Sequence, residues 1–136
     1  MLFGTPRQTT AASLALLLLR VVAGVAFMMH GWGKIQNPFN WMGDSLPGFL
    51  QALAALSEFG GGLAWILGLL TPLASLGILS TMAVAVYKHA IEWGHPFAAA
   101  EKSYELAAIY LVIAVVLMAV GAGKLSLDRL FFGEKK

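Results

Sequence analysis

Cysteine is absent from the 136 residues, which excludes a dithiol relay, a cysteine-ligated cluster and a disulfide. Charge is nearly as scarce: Asp, Glu, Lys and Arg make up 12% of the chain, against about 25% in an ordinary soluble domain. With 59% hydrophobic residues and a mean hydropathy of +0.77, the composition is that of an integral membrane protein. The isoelectric point of about 9.1 suggests a polyanion partner, but the formal net charge is only +2 and the basic residues are scattered among apolar runs. Nucleic acid is therefore not an expected partner, and membrane lipid is.

What is present is four apolar stretches, at about residues 11–33, 49–70, 73–91 and 104–122. Each is close to the roughly 20 residues that a helix needs to cross a bilayer. The expected fold is an all-α, integral membrane four-helix bundle occupying residues 1–136 as one domain. The first stretch is read as a mature helix and not a leader, because Arg20 breaks it and no small-x-small cleavage site precedes His30. Thr9 and Thr10 are its N-cap candidates. The connection KIQNPFNWMGDSLPG carries two prolines, two glycines and Trp41, and reads as a short ordered cap. Leu70-Thr71-Pro72 is so short a break that the second and third helices must be antiparallel neighbours.

Four spans place both termini on one side. Arg7, Lys124, Arg129, Lys135 and Lys136 lie at the termini, and Lys34, Lys88 and Lys102 in the opposite loops, a bias that favours cytoplasmic termini. Trp32, Trp41, Trp93, Tyr87 and Tyr104 then form an outer aromatic belt, and the tail KLSLDRLFFGEKK reads as an interfacial segment.

Arg20 and Glu58 lie inside apolar runs, where an ionisable residue is costly and marks a functional site by default. Counted from the outer helix ends at a rise of about 1.5 Å per residue, Glu58 lies roughly 13 Å deep and Arg20 roughly 20 Å deep. An extended arginine spans that gap, so a direct pair is expected, acting either as a structural clamp or as the floor of a polar site. Arg20, Gly24, Phe27, Gly31 and Lys34 form one stripe of the first helix, and Ser57, Gly61, Ala64 and Gly68 form a small-residue seam on the second. Glu58, Gly62 and Trp65 occupy the adjoining face. At the outer level His30, Lys34, Lys88, His89, His95, Tyr104 and Glu105 are the groups available to line a pocket above Arg20 and Glu58. The blander reading makes the lysines headgroup contacts and Trp65 packing. No metal is expected, since the three histidines come from separate segments and none forms an i, i+4 pair.

These residues carry a resemblance. LLRVVAGVAFMMHGWGKI resembles the opening motif of the DoxX family of small four-helix membrane proteins; ALSEFGGGLAWILGLLTPLA, SYELAAIYL and GKLSLDRLF are similar to its later segments. The likeness covers nearly the whole chain, with only a loose match over KHAIEWGHPFAAAEKS. It implies a bundle in a prokaryotic inner membrane. The family takes its name from the small subunit of a thiosulfate:quinone oxidoreductase, and more distant relatives act in cargo export and receptor assembly. The residues the resemblance carries over are Arg20, His30, Lys34, Glu58, Tyr104 and Glu105.

Three functional readings follow. The leading one is a membrane subunit of a redox assembly, an oxidoreductase-complex component without its own redox centre. It binds a quinone or similar amphiphile in the outward half of the bundle through Arg20, His30, Lys34, Glu58, Tyr104 and Glu105, with Lys88 and His89 as further candidates. Its expected partners are a soluble or membrane redox protein and a second copy of the chain, with which the glycine-rich seams are compatible without requiring it. The second reading is a non-catalytic assembly factor whose intramembrane charges hold a client helix. The third is a small-molecule or proton transporter.

Overall fold

The computed structural model describes residues 3–134. Lys135 and Lys136, which entered the charge count above, lie outside them. The described residues form helices α1 (Thr10–Gln36), α2 (Gly48–Leu67), α3 (Thr71–Tyr87), α4 (Glu105–Val120) and a short α5 (Leu127–Phe132). The chain is an all-α membrane bundle. Three segments are long and apolar enough to cross a membrane: Thr10–Gln36, Gly48–Leu67 and Thr71–Glu92, the last including a π-helical turn at Lys88–Glu92. The fourth is shorter than expected. α4 has 16 residues, about 24 Å of helix, because Gly121 turns to a φ of 73° and Gly123 to 86°.

Local chemistry sets the ends. Thr9 caps α1 by accepting the Ala12 N–H at 3.1 Å. α2 stops at Gly68, left-handed at φ 63°; its N–H donates to Trp65 O, and Leu69 N–H donates to Ala64 O at 2.9 Å. That pair of bonds satisfies carbonyls a helix end otherwise leaves bare. Leu70 is also left-handed, the one such non-glycine residue among those described, at a cost of roughly 1–2 kcal/mol. The compensation comes from far along the chain. Asp128 Oδ1 accepts the Leu70 N–H at 2.6 Å and Oδ2 the Thr71 N–H at 2.8 Å, so a buried carboxylate caps α3.

α1 and α2 pack through glycine. A Cβ on Gly24 would lie 2.6 Å from Gly62 O, one on Gly62 would lie 2.6 Å from Gly24 O, and one on Gly31 would meet Phe59 N at 2.6 Å. The adjoining face of α2 meets α3: a Cβ on Gly61 would touch Ile78, and one on Gly77 would meet Ser57 Oγ at 2.8 Å. Of the expected small-residue seam, Ser57 and Gly61 serve α3, Gly68 ends the helix and lies against Arg20, and Gly62 beside the seam serves α1. In the bundle centre Phe27 packs edge-on to Trp65 and Tyr110, with ring centroids 5.6 and 4.7 Å apart. Trp65 is buried and donates its Nε1–H to Ser75 Oγ at 2.9 Å, tying α2 to α3.

One end of the bundle gathers the segments near both termini. Thr5 N–H donates to Gly133 O at 3.1 Å, Lys124 N–H donates to Ser13 Oγ at 3.2 Å, and the α2–α3 turn sits on Asp128. Arg20 belongs to this end. Its guanidinium donates to Ala122 O and Leu125 O, both at 2.7 Å, and lies against Gly68.

Candidate functional site

The opposite, distal end holds a cavity of about 810 Å³ between the helices, roofed by the 37–47 connection and the π-helical turn. Its floor is apolar: Phe27, Met82 and Tyr110. Its polar end is a charge pair. Lys34 Nζ lies 2.7 Å from both Oε1 and Oε2 of Glu58, and 4.4 Å from the ring centroid of Trp41, which adds a cation–π contact. Glu58 is 5% exposed, so the lysine is its means of remaining charged at that depth.

The expected contact between Arg20 and Glu58 is therefore not made; the partner of Glu58 is Lys34, and that of Arg20 is a set of backbone carbonyls. The reason is side-chain direction. Every helical Cα–Cβ bond tilts toward its own N-terminus. Glu58, on α2, leans toward the distal end where α2 begins, while Arg20, on α1, leans toward the terminal end where α1 begins. They diverge. Lys34 leans back into the bundle from the distal end of the same helix and meets Glu58 coming the other way.

Of the other expected site residues, the structure brings His30, Lys88 and His89 to the cavity wall beside Lys34 and Glu58. His30 sits at the rim, exposed, with its ring edge-on to Tyr110 at 6.5 Å. Tyr104 and Glu105 are not part of the wall: Tyr104 packs on Phe97 at 5.3 Å, and Glu105 opens α4 as its first residue. His95, from the loop, reaches His89, Nδ1 to Nδ1, at 3.0 Å. Lys88 Nζ bonds Glu92 at 3.1 Å.

Sequence reasoning missed Gln51, Asp128 and the cavity-lining Tyr110. Gln51 is 1% exposed. It accepts the Met42 N–H at 2.7 Å, donates to Gly43 O and Leu46 O at 2.8 and 2.6 Å, and its own carbonyl accepts the Trp41 indole N–H at 2.9 Å. The Gln51 side chain thus fixes the roof, and its backbone carbonyl holds Trp41 over Lys34. The available signal was a lone amide, three residues into an apolar helix, following a loop rich in proline and glycine.

The model of the DoxX family matches residues 15–90, the stretch that contains Arg20, Lys34, Glu58 and His89. Three relatives agree with it. A protein of Escherichia coli (strain K12) named "Inner membrane protein YqjF" is 41% identical over 66 residues, 44% of this chain and 49% of that protein, so the match spans about half of it. An uncharacterized protein of Haemophilus influenzae is 30% identical over 86% of this chain and 90% of its own length. A Bacillus subtilis (strain 168) protein named "Putative oxidoreductase CatD" is 31% identical over 88% of this chain and 89% of its own. No solved structure matches the chain. The family match over more than half the chain, and two relatives aligned along nearly their whole lengths, establish that this protein belongs to the DoxX family.

Proposed function

We propose that the chain is an inner-membrane subunit of a redox assembly and binds a quinone or a similar small amphiphile in the distal cavity. The observation that carries this reading is the Lys34–Glu58 pair at the polar end of a mostly apolar cavity of about 810 Å³, within the roughly 300–1,000 Å³ of small-molecule sites. The names of YqjF and CatD support the location and the redox setting. In the membrane the cavity occupies the outward half of the bundle, the termini facing the cytoplasm.

The residues suit a ring bearing two carbonyl or hydroxyl oxygens. An ammonium has three donors; Lys34 spends two on Glu58 and keeps one for a ligand oxygen. Glu58 is the group that takes up or returns a proton at that oxygen, with Lys34 restoring charge balance. His30 stands at the rim to serve the second oxygen, and Trp41 and Phe27 offer ring faces. A bound quinone supplies two-electron, two-proton chemistry, and the electrons come from a partner subunit or a soluble reductant. An assembly-factor role draws less support, because the buried charges already satisfy one another or bond backbone carbonyls within the chain.

Quinone titration of the purified protein in lipid nanodiscs, followed by quenching of tryptophan fluorescence, tests the reading because Trp41 and Trp93 line the cavity. Saturable quenching is expected for the native chain and its loss for the folded double variant Lys34→Met with Glu58→Leu. Equal quenching in both would remove the cavity from consideration.

A further inference from the structure

The cavity has a second opening, sideways, between α2 and α3. These helices are tight where Ser57 meets Gly77, with a Cβ on Gly77 placed 2.8 Å from Ser57 Oγ. Distal to that point they part. Leu50 and Leu53 of α2 and Ser80 and Val84 of α3 all line the cavity, yet Leu53 is 56%, Val84 55% and Leu50 38% exposed. A side chain that faces the inside and the outside at once stands in an opening. Leu53 is five residues into α2, about 8 Å below the helix end, which sets the opening level with acyl chains instead of water.

The walls of that opening are apolar in effect. Ser80 Oγ–H is spent on Leu76 O at 2.9 Å, and Thr81 Oγ1–H on Ile78 O at 2.9 Å, so neither hydroxyl has a hydrogen left for a ligand. The charged pair of the cavity is Lys34 and Glu58, beside Ser57, and beyond Ser57 the path to the lipid side passes hydrocarbon and the two satisfied hydroxyls of Ser80 and Thr81.

Resting on the reading above, we infer that the ligand is membrane-resident: a ring headgroup held at Lys34–Glu58 with a long hydrocarbon tail leaving between Leu53 and Val84 into the bilayer. A water-soluble ring without a tail is the weaker ligand. The tail partitions the ligand into the bilayer and so concentrates it beside the opening, the Lys34–Glu58 pair holds the headgroup, and the opening between α2 and α3 is the entry route.

The test uses the native chain in nanodiscs and a benzoquinone with a decyl tail ending in a diazirine. After illumination, peptide mapping is expected to place adducts at residues 50–53 and 80–84, and an excess of unreactive decyl quinone to remove them. Adducts that survive competition report bulk lipid, and competed adducts confined to α1 or α4 report another exit; either overturns the inference. Leu53→Trp and Ser80→Trp, checked for native helicity and monodispersity, give an independent reading. Each should weaken the tailed probe by about tenfold or more, because the indole fills the exit that the tail needs, and leave a tail-less benzoquinone unchanged. Equal affinity of the native chain for both probes would overturn the tail and leave the quinone cavity standing. Binding of neither probe would end both readings.

Discussion

Lys34 Nζ sits 2.7 Å from each carboxylate oxygen of Glu58, across the α1–α2 seam where Gly24 and Gly62 bring the backbones together. The two features depend on each other. The glycines set the helix separation that lets a lysine near the end of α1 reach a glutamate ten residues inside α2, and the ion pair holds the helices where the cavity opens. A single arrangement thus carries both packing and the proposed chemistry.

Breaking the pair from one side leaves a charge without its partner. Lys34→Met or Glu58→Leu alone should each destabilise the protein by about 3 kcal/mol, the lower end of what is typical for a buried pair, since the Lys34 side chain remains 27% exposed. The double variant should recover most of that loss. Reversible unfolding in mixed micelles measures it, and losses that simply add would show that the pair is not coupled.

Arg20 should behave independently. Arg20→Met removes two charge-assisted bonds to Ala122 O and Leu125 O, each worth about 1.5–3 kcal/mol, and loosens the joint between α1 and the α4–α5 connection. Combined with Glu58→Leu the effects should add within about 0.5 kcal/mol. Ligand binding should persist in folded Arg20→Met, because Phe27 and Trp65 stand between that joint and the cavity.

Asp128→Ala should be costly out of proportion to the size of the change. It strips the acceptors from Leu70 and Thr71 N–H and leaves Leu70 left-handed without compensation. A loss of about 2–4 kcal/mol is expected, combining a charged cap with unsatisfied buried donors. Hydrogen exchange should show new opening at residues 69–73, and unchanged protection there would contradict the cap.

Glycine positions give a matched comparison. Gly62→Ala places a methyl 2.6 Å from Gly24 O and 2.9 Å from Met28 N, and should cost about 1–3 kcal/mol as overpacking. Gly33→Ala has open space around its Cβ and should stabilise α1 by about 0.5–1 kcal/mol. If both substitutions act alike, the α1–α2 contact is not the close one described.

His89 and His95 meet Nδ1 to Nδ1 at 3.0 Å, so one ring must donate and the other accept. Lys88, through Trp93, and Glu92 are the neighbouring charges on the same turn. His95→Ala removes one partner of the contact and should loosen the π-helical turn, seen as faster hydrogen exchange at residues 88–93. Nitrogen-15 imidazole spectra should show one of the two Nδ1 atoms carrying a proton and the other bare; the same tautomer at both would mean that the contact is absent.

How far the chain could be read without its fold differs by residue. The stripe Arg20, Gly24, Phe27, Gly31 and Lys34 follows from helical periodicity alone, and all but Lys34 are buried in α1. The α2–α3 break follows from Leu70-Thr71-Pro72, although α2 stops earlier than that pattern says, at Gly68. Asp128 and Gln51 were not legible, because each acts on segments that sequence distance does not relate: 57 or 58 residues separate Asp128 from the turn it caps.

The sequence by itself determined that this is a membrane bundle and which residues could not face lipid without cost, because both follow from composition and from a period of 3.6. Which buried charge meets which was decided only by tertiary structure. Depth along a helix is a one-dimensional quantity that permits Arg20 to reach Glu58, but antiparallel helices tilt those two side chains apart and tilt Lys34 and Glu58 together. The cavity likewise exists only because α2 and α3 part beyond Ser57 and Gly77, a divergence of two helices that no local pattern in either one encodes.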